Sequence, residues 1–196
     1  MSIFGYNTNG ASEDTPWGVN NCIGSIFTFP AVGGATIQIH CWFHSFADNN
    51  ISMAVYTDNL GSPNARLGSA ATAFIASTGG TATELDMNYV RTLSANTPYW
   101  IILSADNNIH VHYDVGAANQ GVHNYNPATG CADPFDATGI GFGTNQWSMW
   151  VDYTPAGGGG NVYTLASSNG AYALTGYNAA PSLSGFTSTM TIGTIR

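Results

Sequence analysis

Histidines are where this chain gathers residues able to do chemistry. His40 and His44 stand four apart in TIQIHCWFHSF, His110 and His112 two apart in IHVHYDV, and His123 opens HNYNPATG. Residues separated by an even number share a face of an extended strand, so each pair presents its imidazoles in one direction. Should the two strands pair, three or four imidazoles converge on a site for a zinc- or nickel-like ion. His110 and His112, with Asp152 on the closing strand, are the metal candidates of this pattern. The plainer alternative makes the same histidines polar members of a strand face or of a protomer contact, hydrogen-bonded to the abundant Asn and Ser.

Hard oxygen donors offer a second metal. Asp48, Asp106, Asp114 and Asp152 fall at strand ends or on the closing strand, and with Asn and backbone carbonyls they suit a structural Ca2+. No D-x-[DN]-x-[DN]-G run accompanies them. Glycoside hydrolysis needs two carboxylates facing across a cleft, yet Glu13 and Glu84 are the only glutamates, and Glu13 belongs to a lead-in that reads as irregular. There is no G-x-S-x-G elbow, phosphate loop or dinucleotide fingerprint. The expectation is a protein that is not an enzyme, with a cupin-like enzyme using His110 and His112 as the remote alternative.

Sugar binding uses aromatic faces beside amide and carboxylate groups. Trp42, Tyr56, Tyr113, Tyr125, Trp147 and Trp150 are available, and Trp42 with Asn124, Tyr125 and Asn126 is the combination this reading selects for a carbohydrate. Each of these aromatics also has a simpler place in a core or a subunit interface.

The elements that must position these residues are strands. The 196 residues are 44% hydrophobic, carry only 7% charged residues and have a net charge of −8. The three basic residues are Arg66, Arg91 and Arg196. So few cations cannot replace the counterions of a phosphate backbone or an anionic membrane surface. Neither nucleic acid nor membrane is expected as a partner. High Gly, Asn, Thr and aromatic content favours strands and turns. Candidate strands follow at 25–30, 36–46, 51–57 (a hairpin partner of the one before), 71–77, 84–90, 99–104, 109–115, 138–143 and 147–154. Loops are expected at 58–69 and 116–137, and residues 1–24 read as lead-in. Short strands with no helix between them predict an all-β antiparallel sandwich or jelly roll over residues 1–155. Cys22, Cys41 and Cys131 have no metal-like spacing and read as buried free thiols, a Cys22–Cys131 bridge being the alternative. GGGG at 157–160 closes a 156–160 linker, and 161–196 reads as a small β-rich arm, too short to be stable without a docking partner. The start MSIFGYNTNGASED has neither a basic nor an apolar leader region, which points to synthesis in the cytoplasm.

Three segments then stand together. AVYTDNLGSPNARLGSA (54–70), LSANTPYWIILSAD (93–106) and MWVDYTP (149–155) resemble the jelly-roll-like domain of unknown function found in bacterial surface proteins and bacteriophage virion proteins, over residues 26–155. NGAYALTGYNAAPS (169–182) is similar to segments that end phage structural proteins. The resemblance departs at Asn64, where the family carries Gly, and at His40, Cys41, Trp42 and His44. It implies a non-enzymatic virion surface protein: a capsid decoration, fibre or tail-adhesin component. Its expected partners are other virion proteins, copies of itself in a homo-oligomer, most simply a trimer, and a host-surface glycan. The alternative function is a carbohydrate-binding module of a secreted or cell-surface protein.

Overall fold

The computed structural model describes residues 1–14, 21–106, 109–124, 131–156, 166–168 and 171–173, and among these residues strands are the only regular elements. The chain divides into two units, Met1–Gly157 and Gly158–Arg196. In chain order the first unit carries β1 (Ser2–Gly5), β2 (Ser12–Glu13), β3 (Cys22–Thr28), β4 (Gly34–His44), β5 (Asn49–Asn59), β6 (Ser62–Arg66), β7 (Ala71–Ile75) and β8 (Thr83–Asn88). It continues with β9 (Thr92–Leu93), β10 (Pro98–Ala105), β11 (His110–Val115), β12 (Gly121–Asn124), β13 (Ile140–Gly143), β14 (Asn145–Trp147) and β15 (Met149–Pro155). Of the second unit, the described residues form a two-stranded antiparallel ribbon, β16 (Ala166–Ser168) and β17 (Ala171–Ala173).

Two antiparallel sheets pack face to face, which makes the first unit the β-sandwich that composition predicts. One runs β1-β15-β4-β11-β14, with β8 and β9 on β4 and β2 on β11; the other runs β13-β12-β3-β10-β5-β6, with β7 also on β5. The strand β4 is central to the first. Cys41 faces Met149 of β15 on one side and Leu85 of β8 on the other. The period of an extended strand predicts one face from Ile37, Ile39, Cys41 and Phe43 and the other from Gln38, His40, Trp42 and His44. This holds from Gln38 onward, with Ile39, Cys41 and Phe43 in the core, and breaks at Ile37, half-buried beside a buried Thr36 where the pairing with β15 is bulged. Phe4, Phe29 and Tyr153 close one end of the core, with ring centroids 4.9 Å and 4.7 Å apart for Phe4–Phe29 and Phe29–Tyr153.

The unbroken apolar run of β10 has a structural reason. Between β3 and β5 it is covered on both faces, and Tyr99 through Ala105 are all buried. Residues 131–136 supply the outer cover: the Tyr56 hydroxyl donates to the Ala132 carbonyl at 2.7 Å, and Phe135 meets the Tyr56 ring edge-on at 5.5 Å. Cys22, Cys41 and Cys131 are buried thiols, none of them in a disulfide. Burial pushes the Cys22 thiol up to about 11 and the Cys131 thiol up to about 12.

Several expectations are corrected. The described part of the lead-in carries strands: β1 pairs with β15 and β2 with β11. Ile51–Thr57 is not the hairpin partner of β4, because both edges of β4 are already occupied; the chain crosses to the other sheet, where β5 pairs with β10. The stretch 58–69 contains β6, joined to β5 through Leu60 and Gly61, both at positive φ (54° and 85°), which is the backbone of a tight hairpin turn. The stretch 116–137 contains β12, between β3 and β13. The closing strand is two: β14 pairs with β11, β15 pairs with β4, and Ser148 lies between them.

Candidate functional site

Ser148 lies where the first sheet changes partners. Its N–H donates to the His112 carbonyl at 2.9 Å, its carbonyl accepts from Trp42 N–H at 3.0 Å, and its hydroxyl accepts from Gly10 N–H at 3.1 Å. Three chain segments are thereby tied at one buried serine. Gly10 is required there, since a Cβ on it would lie 2.4 Å from the Tyr113 carbonyl oxygen, and only a bare backbone lies so close. Below this knot β4 and β11 pair, and the register sets His110 opposite His44. The pairing that the histidine spacing required is thus present. β2 flanks β11 on its other side, with Glu13 opposite His112.

The result is an imidazole-rich cluster. His44 and His110 stack at 4.4 Å with an 18° interplanar angle, and the His112 ring meets His44 edge-on at 5.7 Å. Glu13 Oε2 lies 3.2 Å from His44 Nδ1. A donor atom from each of Glu13, His44 and His110 lies within 4.8 Å of the others. Burial holds His44 below its usual value against the opposing pull of Glu13, and the neighbouring His110 and His112 lower it further. Phe46, itself exposed, edges both His44 and His110 at 5.5 Å and 5.9 Å.

Four residues back along β4 a second cluster has the opposite make-up. His40 Nδ1 donates to Asp86 Oδ1 at 2.7 Å, with Glu84 Oε1 at 3.4 Å, and its Nε2 lies 3.7 Å from Asp152 Oδ2. The ring lies flat against Trp150 at 4.9 Å. Burial raises the Glu84 carboxyl above its ordinary value, as does the neighbouring Asp86, and His40 opposes them.

The sequence candidates distribute as follows. His110 and His112 meet in the first cluster, but Asp152 does not join them. It pairs in register with Gln38, six residues from His44, or about 20 Å along the strand, and belongs to the His40 cluster. Glu13 and His44 complete the site in its place. Of the residues proposed for sugar, the two that are described lie in different sheets. Trp42 is half-buried in the first sheet, and its indole N–H donates to the Asn7 carbonyl at 3.3 Å. Asn124 is fully buried on β12 of the other sheet, its amide donating to the Asp136 carbonyl. Tyr125 and Asn126 lie outside the described residues. The aspartates named for calcium are dispersed: Asp48 accepts from Ser77 N–H at 3.0 Å, Asp106 from Asn50 N–H at 2.7 Å and Asp114 from Ala11 N–H at 2.9 Å.

Two features were beyond sequence reasoning. Glu13 sits on a two-residue strand that has no period to detect, and Glu84 and Asp86 reach His40 only because β8 lies beside β4. No protein-family model and no curated protein matches the chain.

Proposed function

We propose that the chain is a non-enzymatic structural protein of a bacteriophage particle, a decoration, fibre or tail-adhesin component made in the host cytoplasm and displayed on the virion surface. The observation that carries this reading is what the family-like segments do in the fold. Tyr56, Trp100, Val151 and Tyr153, which anchor those segments, are all buried in the sandwich. The resemblance is therefore to an architecture, and no cleft chemistry travels with it. A surface kept wet by uncharged polar groups supports the same reading, because neutral side chains cost less to bury between subunits than ions do. A closed homo-oligomer, most simply a trimer, follows. Light scattering on the full-length chain at micromolar concentration tests it: a mass near three times the chain's 20.5 kDa is expected, and a monomer overturns it.

One observation favours carbohydrate binding as a second reading. Phe74, 66% exposed, lines an open groove of about 340 Å3 with Asn50, Thr72 and Asp106. An exposed ring beside an amide and a carboxylate offers a sugar both stacking and hydroxyl partners. Retention on bacterial polysaccharide that is lost in Phe74→Ala supports this reading, and equal retention of the variant removes it.

A further inference from the structure

We propose that Glu13, His44 and His110, with His112 beside them as the fourth donor, form a binding site for one divalent transition-metal ion of the zinc type, which fastens the short strand β2 to β4 and β11. The cluster holds an imbalance of protons. His112 Nδ1 lies 3.3 Å from the Gly10 carbonyl, and a carbonyl only accepts, so this nitrogen carries the ring proton of a neutral His112. Its Nε2 is then left with a lone pair, and this atom is buried with no hydrogen-bond partner. His110 is 9% exposed, and its Nδ1 is likewise buried without a partner. Buried polar atoms are nearly always paired, so orphans on two rings that both touch His44 require an explanation. At His112 Nε2 an electrophile that accepts a lone pair supplies one, where a further hydrogen-bond acceptor would not.

The donors suit that electrophile. Three imidazoles and one carboxylate are the ligand types of Zn2+ and its neighbours, and the carboxylate lowers the net charge brought into the site. Neighbouring donors around a four-coordinate zinc lie about 3.3 Å apart, from metal–ligand bonds of about 2.0–2.1 Å. Glu13 Oε2 and His44 Nδ1 are already 3.2 Å apart. The Gly10 carbonyl serves His112 as backbone acceptors commonly serve metal-binding histidines, fixing the tautomer and the ring orientation. Glu13 has a half-exposed side chain, which leaves an entry path for the ion. The stacked rings of His44 and His110 share an ion by turning their edges toward it, so binding opens the stack.

The His40 cluster differs in its donors rather than in lacking an orphan: its Nε2 is also buried without a hydrogen-bond partner, and a donor atom from each of His40, Glu84 and Asp86 likewise lies within 4.8 Å of the others. Its single imidazole already donates to a carboxylate and the rest of its donors are oxygens, a poorer set for a zinc-type ion, so it is the internal comparison.

The test is a titration of the full-length chain with Zn2+ by calorimetry and with Co2+ by visible absorption, beside 15N-histidine NMR spectra. One equivalent is expected, with the strong absorption of four-coordinate Co2+ and imidazole shifts at His44, His110 and His112 but not at His40 or His123. Saturating Zn2+ should raise the Tm by on the order of 5–10 °C at a hundredfold excess over Kd. His44→Ala and His110→Ala should lose the ion, Glu13→Gln should weaken it about tenfold or more, and His40→Ala should bind as the parent does. The absence of stoichiometric binding to the parent chain overturns the site, as do shifts centred on His40 or His123. Should an alanine variant fail to fold, the NMR spectrum of the parent decides alone.

Discussion

The two polar clusters occupy one face of β4 four residues apart, about 13 Å along the strand, yet their histidines are satisfied in opposite ways. Around His40 there are more acceptors than ring protons. Asp86 takes the Nδ1 proton, Glu84 and Asp152 stand close by, Trp150 covers the ring face, and Nε2 is buried without a hydrogen bond, its neighbour Asp152 being 3.7 Å away. The imidazole there holds carboxylates from β8 and β15 to β4, which is a structural task. Around His44 the surplus is of nitrogen lone pairs: three rings share one carboxylate, and two buried nitrogens have no partner. Histidine on a strand thus becomes glue or ligand according to the strands beside it. β8 brings Glu84 and Asp86 to one end of β4, and β11 brings His110 and His112 to the other.

The comparison assumes that both clusters rest on one rigid frame and that neither is the frame. Phe43, 2% exposed, is on the inward face of β4 between the two. Phe43→Ala should cost about 3–5 kcal/mol through lost burial and the cavity left behind, read from urea unfolding. A cluster variant that costs as much would show its cluster to be part of the core, and the distinction would fail.

The next effect separates the clusters directly. His40→Ala removes a ring stacked on Trp150 and leaves Asp86 without its donor, for about 1–2 kcal/mol. In metal-free buffer, His44→Ala loses the contact to a half-exposed Glu13 together with the stack on His110 and the edge contacts to His112 and Phe46, also about 1–2 kcal/mol. Urea midpoints of the two variants should therefore lie close together without Zn2+. With saturating Zn2+ the gap to the parent should widen for His44→Ala and stay fixed for His40→Ala. An unchanged gap for His44→Ala makes the two clusters equivalent.

The difference between the clusters was only half legible in the sequence. Strand period is local, so the faces of β4 were readable from Ile39, Cys41 and Phe43 against His40, Trp42 and His44. The even spacing of His110 and His112 likewise announced a shared face. Neighbourhood is not local. Nothing in ISMAVYT records that β5 must leave β4 for the other sheet, and Asp152 looked as near to His110 as to His40 until β15 was set in register with Gln38. Glu13 is the sharpest case. Two residues of β2 carry no alternation, and its place depends on Gly10 lying against the Tyr113 backbone and donating to Ser148. β6 and β12 were missed because Gly and Pro argue against strands, whereas here a turn at Leu60–Gly61 and pairing with β3 accommodate them.

The smallest effect concerns protons, and it tests whether the His40 cluster is held by charge. Glu84 has its carboxyl raised by burial first and by Asp86 second, while His40 pulls it down. A carboxyl whose folded value exceeds its unfolded value binds its proton more tightly in the folded chain. Its contribution to stability is fully present below the unfolded value, about 4.3, and is lost as pH rises through the folded value. Glu84→Gln cannot ionise and keeps a neutral group throughout. The variant should match the parent near pH 4 and be the more stable of the two at pH 7. The gain should stay within about 0.5 kcal/mol, because the side chain is 41% exposed and water screens its charge. Urea midpoints at the two pH values measure it. A variant less stable than the parent at pH 7 would mean that the Glu84 charge, through His40, supports the sheet more than its burial opposes it, and the acid-rich cluster would then be an ion-pair network in which all three carboxylates are needed.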